Sequence, residues 1–518
     1  MKKSSELKTY TGTEKAMYLV GMAGQNIIYS IIGASLAYYL QFTILIPAFI
    51  VSTIMAIARV WDAFNDPMMG TIVDKTRSKW GKCRPYLLFV PIPIMIITVA
   101  CFTNFGFFDP SMGNFEGKNA LIVFFAAFTY ILWGMAYTVG DIPLWSITAL
   151  MTEDQQDRAK LLSYARIAGG VGAGVVIVSI QPLALALGEK FASRFEDTPK
   201  VTAAMAGERL GFIAAAAIFA LVGGIAFQMA GLFARERIPA SEKSYTLKEN
   251  FTLMWKNKPF RQILLSGIMG SPKQLLMLAA MPLVTYYYAS KDPAQAMIYM
   301  VSMAGGLFLG QFVAMGMVPR LLKYVSKKDA YNYANLLSAI PNVTIFVLYL
   351  IGRNQLVRPA YLVATLMLFV IGGATNGVST VLQSLMIADA VDYEEYHNGI
   401  RPDGVFFSGQ TFIAKLTLAI ATMLSGIAYS LVGLSDAKID ELNRFVAEGG
   451  IPRDEPKYTV YITLLFFLIS IPPAIGSILT VIPTWNYCLS DEEHTEILDE
   501  LNRRRHEEEK AESDTETS

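Results

Sequence analysis

Histidine and cysteine are scarce, at three each in 518 residues. The cysteines, Cys83, Cys101 and Cys488, are scattered and odd in number, which argues against a disulfide framework or a spaced set of metal ligands. They read as small apolar side chains. The histidines, His397, His494 and His506, fall in expected loops or the tail, so an embedded enzyme would lack a base or metal set at one depth. Charge is scarce as well: 17% of residues are Asp, Glu, Lys or Arg, and 43 basic residues balance 43 acidic ones. With no net charge and no basic stripe interleaved with aromatics, a nucleic-acid partner is not suggested. Nor does a small-residue cleavage site follow the polar opening MKKSSELKTYTGTEKA, so the first apolar run is expected to be a retained span.

What the sequence does have is apolar length. Hydrophobic residues make up 53% and mean hydropathy is +0.40, well off the balance of soluble domains. A bilayer core of about 30 Å takes roughly 20 mostly apolar residues per helix. Twelve such runs occur, centred near residues 28, 57, 95, 134, 174, 221, 275, 307, 341, 374, 418 and 470. They are too long for barrel strands. The expectation is an all-α membrane protein of twelve transmembrane helices in two six-helix halves, 16–233 and 259–489. A cytoplasmic N-terminus (1–15), a polar linker (234–258) and a tail (490–518) flank them. The tail should begin as a short amphipathic helix and end disordered. Basic residues concentrate after even-numbered spans, in DKTRSKWGKCRP, the linker and PRLLKYVSKKD, which places both termini in the cytoplasm.

Within these runs lie polar residues at one depth. Counting about 1.5 Å per residue from the nearest loop puts Asp66 about 12 Å in, Asp62 about 18 Å, and Asp141, Lys415 and Asn26 near 15 to 16 Å. An ionisable side chain at that depth costs about 2.5 to 3.5 kcal/mol on the insertion scale, so it must pair or line a wet cavity. Asp62 and Asp66 share one helix face, with Asn65 beside them and Arg59 one turn below, and Thr138 and Asp141 share another face. Two carboxylates with an amide and a hydroxyl make an oxygen-only nest, suited to sodium or a proton rather than a transition metal. The bland alternative is that Arg59, Asp62 and Lys415 form interhelical ion pairs that only hold the bundle together. Gly169 with Gly170 and Gly372 with Gly373 read as close-approach points between helices.

WDAFNDPMMGTIVDKTRSKWGKCRP, DIPLWS at 141–146, MIADAVDYEEYHNGIRPDGVFFSGQTFIAK at 386–415 and the ending YCLSDEEHTEILDELNRRR resemble, in order, motifs of the glycoside/pentoside/hexuronide:cation symporters, the melibiose-permease-like branch of the major facilitator superfamily. The resemblance implies the major facilitator fold, a bacterial inner-membrane location, no cofactor beyond a coupling sodium ion or proton, and a sugar or glycoside as the small-molecule partner. It places Asp62, Asn65, Asp66 and Thr138 at the cation site, with Asp62 and Asp66 as ligands if the ion is sodium. Lys415 would face Asp62 and couple their charge states. Asn26, Asp141, Trp145, Arg166, Gln410 and Thr411 match positions around the sugar, and Trp145 would offer its ring to a pyranose. Asp74, Arg77, Lys82 and Arg84 match the superfamily's gating loop.

The sequence departs from that pattern where the branch carries an aspartate (here Asn26) and a tryptophan (here Thr380). A further cation, Lys273, lies about 20 Å deep in the seventh run and has no counterpart in the pattern. One acid fewer and one base more suggest an anionic substrate such as a uronide or sulfonated sugar, unless Lys273 snorkels or pairs with a neighbouring span. Alternatives to a sugar symporter are a carrier of another amphiphile, such as a lysolipid, and a sensor that binds without transporting. The outer loops near 106–119, 188–208 and 433–457 suggest no function.

Overall fold

The computed structural model describes residues 8–109, 111–196, 201–238, 246–288, 293–434 and 436–516. Residues 1–7 of the expected N-terminal segment, 197–200 of an outer loop, 239–245 of the linker and the last two of the tail lie outside the described residues. All regular structure among the described residues is helical. The helices are α1 (Gly12–Tyr38), α2 (Ala48–Lys75), α3 (Arg84–Phe89), α4 (Pro91–Ala100), α5 (Gly117–Ser146), α6 (Gln155–Ala192), α7 (Ala203–Phe233), α8 (Leu247–Lys256), α9 (Lys258–Met269), α10 (Leu275–Leu283), α11 (Pro293–Leu321), α12 (Lys327–Gly352), α13 (Pro359–Asn398), α14 (Asp403–Leu431), α15 (Asp436–Ala447), α16 (Thr459–Val481) and α17 (Asp491–Glu516).

Every one of the twelve expected centres falls inside a helix. Among the described residues nine helices are long and apolar enough to cross a membrane, and Lys258–Met269 with Ser271–Tyr288, bent by 44°, makes ten if the pair counts as one span. Of the two remaining runs, α2 contributes the shorter apolar stretch Phe49–Arg59, and the third run is split into α3 and α4 of 6 and 10 residues. Capping starts several helices cleanly: Thr11 and Glu14 form a reciprocal capping box on α1, and Asp154, Asn257 and Ser326 cap α6, α9 and α12.

The chain divides into two compact units, Met1–Leu253 with Glu394–Thr411, and Met254–Tyr393 with Phe412–Ser518. The first unit therefore includes a piece from the junction of α13 and α14. In that unit α1, α6 and α7 pack on one another, and α2 packs on α5. In the second, α16 packs on α12, α10 and α9, around an aromatic centre in which the rings of Tyr349 and Phe466 stack at 4.1 Å. The segment 433–457, expected to be an outer loop, contains helix α15, whose Leu442 is buried.

Lipid tails are as apolar as the helices, so close backbone approach supplies much of the packing drive. The pair Gly372 and Gly373 splits on this point. A β-carbon on Gly373 would lie 1.9 Å from the Leu307 carbonyl oxygen of α11, whereas one on Gly372 would meet only Pro341 at 3.9 Å. Gly373→Ala is therefore expected to lower the melting temperature of the purified protein by several degrees, an overpacking cost of about 1 to 3 kcal/mol. Gly372→Ala should melt like the parent, and equal melting of the two variants would refute this packing account.

Candidate functional site

Helices α2 and α5 bring the expected cation residues together. Asp66 is fully buried and accepts a hydrogen bond from Thr138 Oγ1 at 2.9 Å, while the same hydroxyl also reaches the Gly134 carbonyl at 3.1 Å. Asp62 lies against α5 where Gly134 leaves space, since a β-carbon there would sit 3.3 Å from Asp62 Oδ1. The Asn65 amide nitrogen is buried without a hydrogen-bond partner among the described residues. Arg59 and Asp62, the structural ion pair weighed from the sequence, are 4.0 Å apart at i,i+3 on the same helix. That contact sits at the limit of a salt bridge and does not join two helices. Asp62, Asn65, Asp66 and Thr138 thus form an oxygen-rich cluster with an amide not committed to the bundle, a donor set that fits a small hard cation.

One turn along α5, a second polar cluster surrounds Asp141. Gln25 Nε2 donates to Asp141 Oδ1 at 2.7 Å and also contacts the Tyr137 hydroxyl. Thr411 Oγ1 lies 3.3 Å from Asp141 Oδ2. Asn26 does not reach Asp141 directly; its amide donates to Gln25 Oε1 at 2.8 Å and to the Met22 carbonyl at 2.9 Å. The Arg166 guanidinium lies 4.1 Å above the Trp145 ring, a cation–π contact on a buried indole. A sugar stacking on that face would have to displace the guanidinium, so the ring is less open than its residue type suggests. Gln410 Oε1 is buried and accepts no hydrogen bond among the described residues.

The loop expected to gate is a network of charges. Asp74, at the end of α2, accepts from the backbone nitrogens of Gly404 and Val405, each at 2.9 Å, and so caps the N-terminus of α14. Lys82 Nζ bridges Asp74 at 3.1 Å and Asp403 at 2.6 Å, both buried. Burial alone would lower the Lys82 pKa, but Asp403 and Asp74 outweigh it and hold the ammonium above its ordinary range. Arg401 lies 3.2 Å from Asp403 and donates to the Ala149 carbonyl. Arg77 binds the Asp74 and Thr76 carbonyls, and Arg84 binds those of Gly231 and Leu232 at the end of α7. Helices α2 and α14 cross glycine on glycine: a β-carbon on Gly70 would sit 2.6 Å from the Gly404 carbonyl oxygen.

Several participants are not singled out by the sequence. Gln25 and Tyr137 complete the Asp141 cluster, Asp403 and Arg401 complete the Lys82 charge network, and Glu236 accepts from the backbone nitrogens of Lys82, Cys83 and Arg84. The tail corrects one expectation: helix α17 runs for 26 residues rather than ending early. His494, in the tail as expected, is fully buried in its first turn. His494 Nε2 lies 3.1 Å from Asp392 Oδ2, and its Nδ1 lies 3.3 Å from the ammonium of Lys327, which is itself paired with Asp389. Asp389, Asp392 and His494 have the spacing of metal ligands, but the Lys327 ammonium already supplies a cation among them. The remaining two site candidates, Lys273 and Lys415, belong to the second unit. Lys415 is partly buried on α14, and Lys273 reaches Asn335.

Residues 17–491 match the family described as MFS/sugar transport protein. The chain belongs to that family. It is 25% identical to the inner membrane symporter YicJ of Escherichia coli K12, over 92% of this chain and 91% of that one. It is 26% identical to the isoprimeverose transporter of Lactiplantibacillus pentosus, over 81% and 80%. A bacterial homologue of the iron transporter ferroportin shares the fold, with a TM-score of 0.58 at 12% identity over 91% of this chain and all of that one. The resemblance to the glycoside/pentoside/hexuronide symporters and the major facilitator fold both hold, and the protein is a multi-pass membrane transporter.

The Lys82 network yields a direct test. Lys82→Met leaves Asp74 and Asp403 buried without their shared ammonium, and breaking a buried pair this way costs about 3 to 5 kcal/mol. The purified variant should melt well below the parent, and adding Asp403→Asn should recover a large part of the loss. A Lys82→Met protein that melts with the parent would mean that the network contributes nothing to stability.

Proposed function

We propose that the protein is a symporter that couples uptake of a sugar or glycoside to the inward movement of sodium or a proton. The observation that carries this reading is the placement of both polar clusters on one helix. Thr138 of the Asp66 cluster and Asp141 of the Gln25 cluster are three residues apart on α5, about one helical turn. A cation at Asp62, Asn65, Asp66 and Thr138 offsets one of two carboxylate charges next to the helix that carries the sugar-binding carboxylate. Filling one cluster therefore changes the position and field of the other.

Coupling requires that the carrier reorient readily when empty or doubly loaded and poorly when singly loaded, a difference in free energy between states. Alternating access between two repeat-related bundles supplies the motion. Asp74, Arg77, Lys82 and Arg84 form the gate, and Lys415 senses the charge state of the cation site. Sugar hydroxyls bind Asp141, Arg166, Gln410 and Thr411, with Asn26 and Trp145 lining the same site. Both termini and the central linker face the cytoplasm, as their basic residues require. The chemistry is binding and translocation, with no covalent step and no resident cofactor. The names of the similar proteins, a symporter and an isoprimeverose transporter, support this reading.

Titrating glycosides into the purified protein in lipid nanodiscs, with and without sodium and at two pH values, tests it. Binding should strengthen at least about tenfold when the coupling cation is present. Asp66→Asn should abolish that dependence, because it removes the charge the cation compensates. Sugar binding that ignores sodium and pH alike would reduce the protein to a facilitator or a sensor.

A further inference from the structure

An ammonium inside a membrane-spanning bundle needs a compensating partner, and Lys82 has two carboxylates. Lys273 has none within ion-pair distance among the described residues. Its Nζ donates to Asn335 Oδ1 at 3.0 Å, a neutral acceptor that offers no charge. The ammonium carries three N–H donors, so two remain after that bond.

The surroundings show that this arrangement is built rather than incidental. Helix α9 ends at Gly270, and a turn of 3₁₀ helix, Ser271–Gln274, separates it from α10. Lys273 sits in that break. A β-carbon on Gly270 would lie 2.9 Å from Lys273 Cε and 2.6 Å from Thr480 Oγ1, so the glycine gives the lysine stem its path. Asn335 is buried and fixed in orientation: its amide nitrogen donates to the Tyr331 carbonyl at 2.8 Å and to Ser379 Oγ at 3.0 Å, and Ser379 returns a bond to its oxygen at 3.2 Å. A snorkelling lysine would carry its charge outwards along the helix to the headgroups. This one turns inwards to a clamped amide on α12. Broken helices in transporters occur where the backbone borders a substrate or ion site.

We infer that Lys273 and Asn335 form an anion subsite in the second unit, which selects a sugar bearing a carboxylate or sulfonate. The inference rests on the symporter reading and adds to it the residue that sets the charge class of the substrate. Asn335 holds the ammonium in place without neutralising it, so the substrate's anionic group supplies the missing counter-charge. A neutral sugar would leave the ammonium uncompensated.

The test pairs sugars that differ only in charge: methyl glucuronide with methyl glucoside, and methyl galacturonide with methyl galactoside. Each is titrated into the protein in phosphatidylcholine nanodiscs with the coupling cation present. The parent should bind the uronide of at least one pair about tenfold more tightly or better, as a charge-assisted hydrogen bond to an anion would provide. In Lys273→Gln that ratio should collapse towards one, and in Lys273→Arg it should persist, which also controls for misfolding. Cation-dependent binding without a uronide preference, or a preference that survives Lys273→Gln, would overturn the subsite and leave the symporter intact. No cation-dependent binding in either pair would remove both. An anionic lipid headgroup could present the same chemistry, so the titrations are repeated with phosphatidylglycerol in the disc. Loss of the uronide preference there would assign Lys273 to lipid and overturn the substrate role.

Discussion

A charged group in a hydrocarbon environment must be compensated by something the protein supplies, and the arrangement of both units follows from how each charge meets that demand. Asp66 takes a hydroxyl from the neighbouring helix, and Asp141 takes an amide and a second hydroxyl. Asp74 takes two backbone nitrogens and an ammonium. The partner types differ in one functional respect. Asp74 is satisfied by fixed backbone and a full counter-charge, while Asp66 and Asp141 accept from side-chain hydroxyl and amide groups. The same constraint that makes charges costly here sorts them by the kind of partner each one has.

Helix geometry then decides which charges act together. Residues one turn apart on α5 serve the two clusters, and glycines on α2, α5 and α14 set how near the helices come. Gly134 leaves room for Asp62, and Gly70 faces Gly404 where the N-terminus of α14 meets Asp74. Larger side chains at these points would separate the very groups whose interaction is required. The small residues are therefore part of the electrostatics as well as the packing.

Much of this was legible in the sequence because a bilayer simplifies the reading. Apolar run length located every helix that contains an expected centre, and depth counted from the loops placed Asp62, Asp66 and Asp141 on a common level before any contact was known. The motifs of the family named Thr138, Lys82 and Arg166. What stayed hidden depends on contacts across helices. Gln25 is one polar residue among several in α1, and only the packing of α1 on α5 makes it the partner of Asp141. Glu236 lies far in sequence from the Lys82–Arg84 backbone it binds. His494 belongs to the tail, expected to begin as a short amphipathic helix, and Ile497, Leu498 and Leu501 follow it at helical spacing and are buried. That stripe is the apolar face of the expected helix, but nothing in it says what the face packs on.

Lys82 and Lys273 differ in the chemistry of their partners. Lys82 has two carboxylates and a carbonyl, so its needs are met wholly within the first unit and any ligand would have to compete with full charges. Lys273 has one amide, itself restrained by a serine and a backbone carbonyl. An amide oxygen can orient an ammonium but offers too little field to offset the cost of desolvating it. Had stability been the only requirement, an aspartate at position 335 would have served the lysine better. The choice of asparagine leaves a positive charge held in place and only partly answered beside the break between α9 and α10, and that residual demand is what a charged substrate can meet.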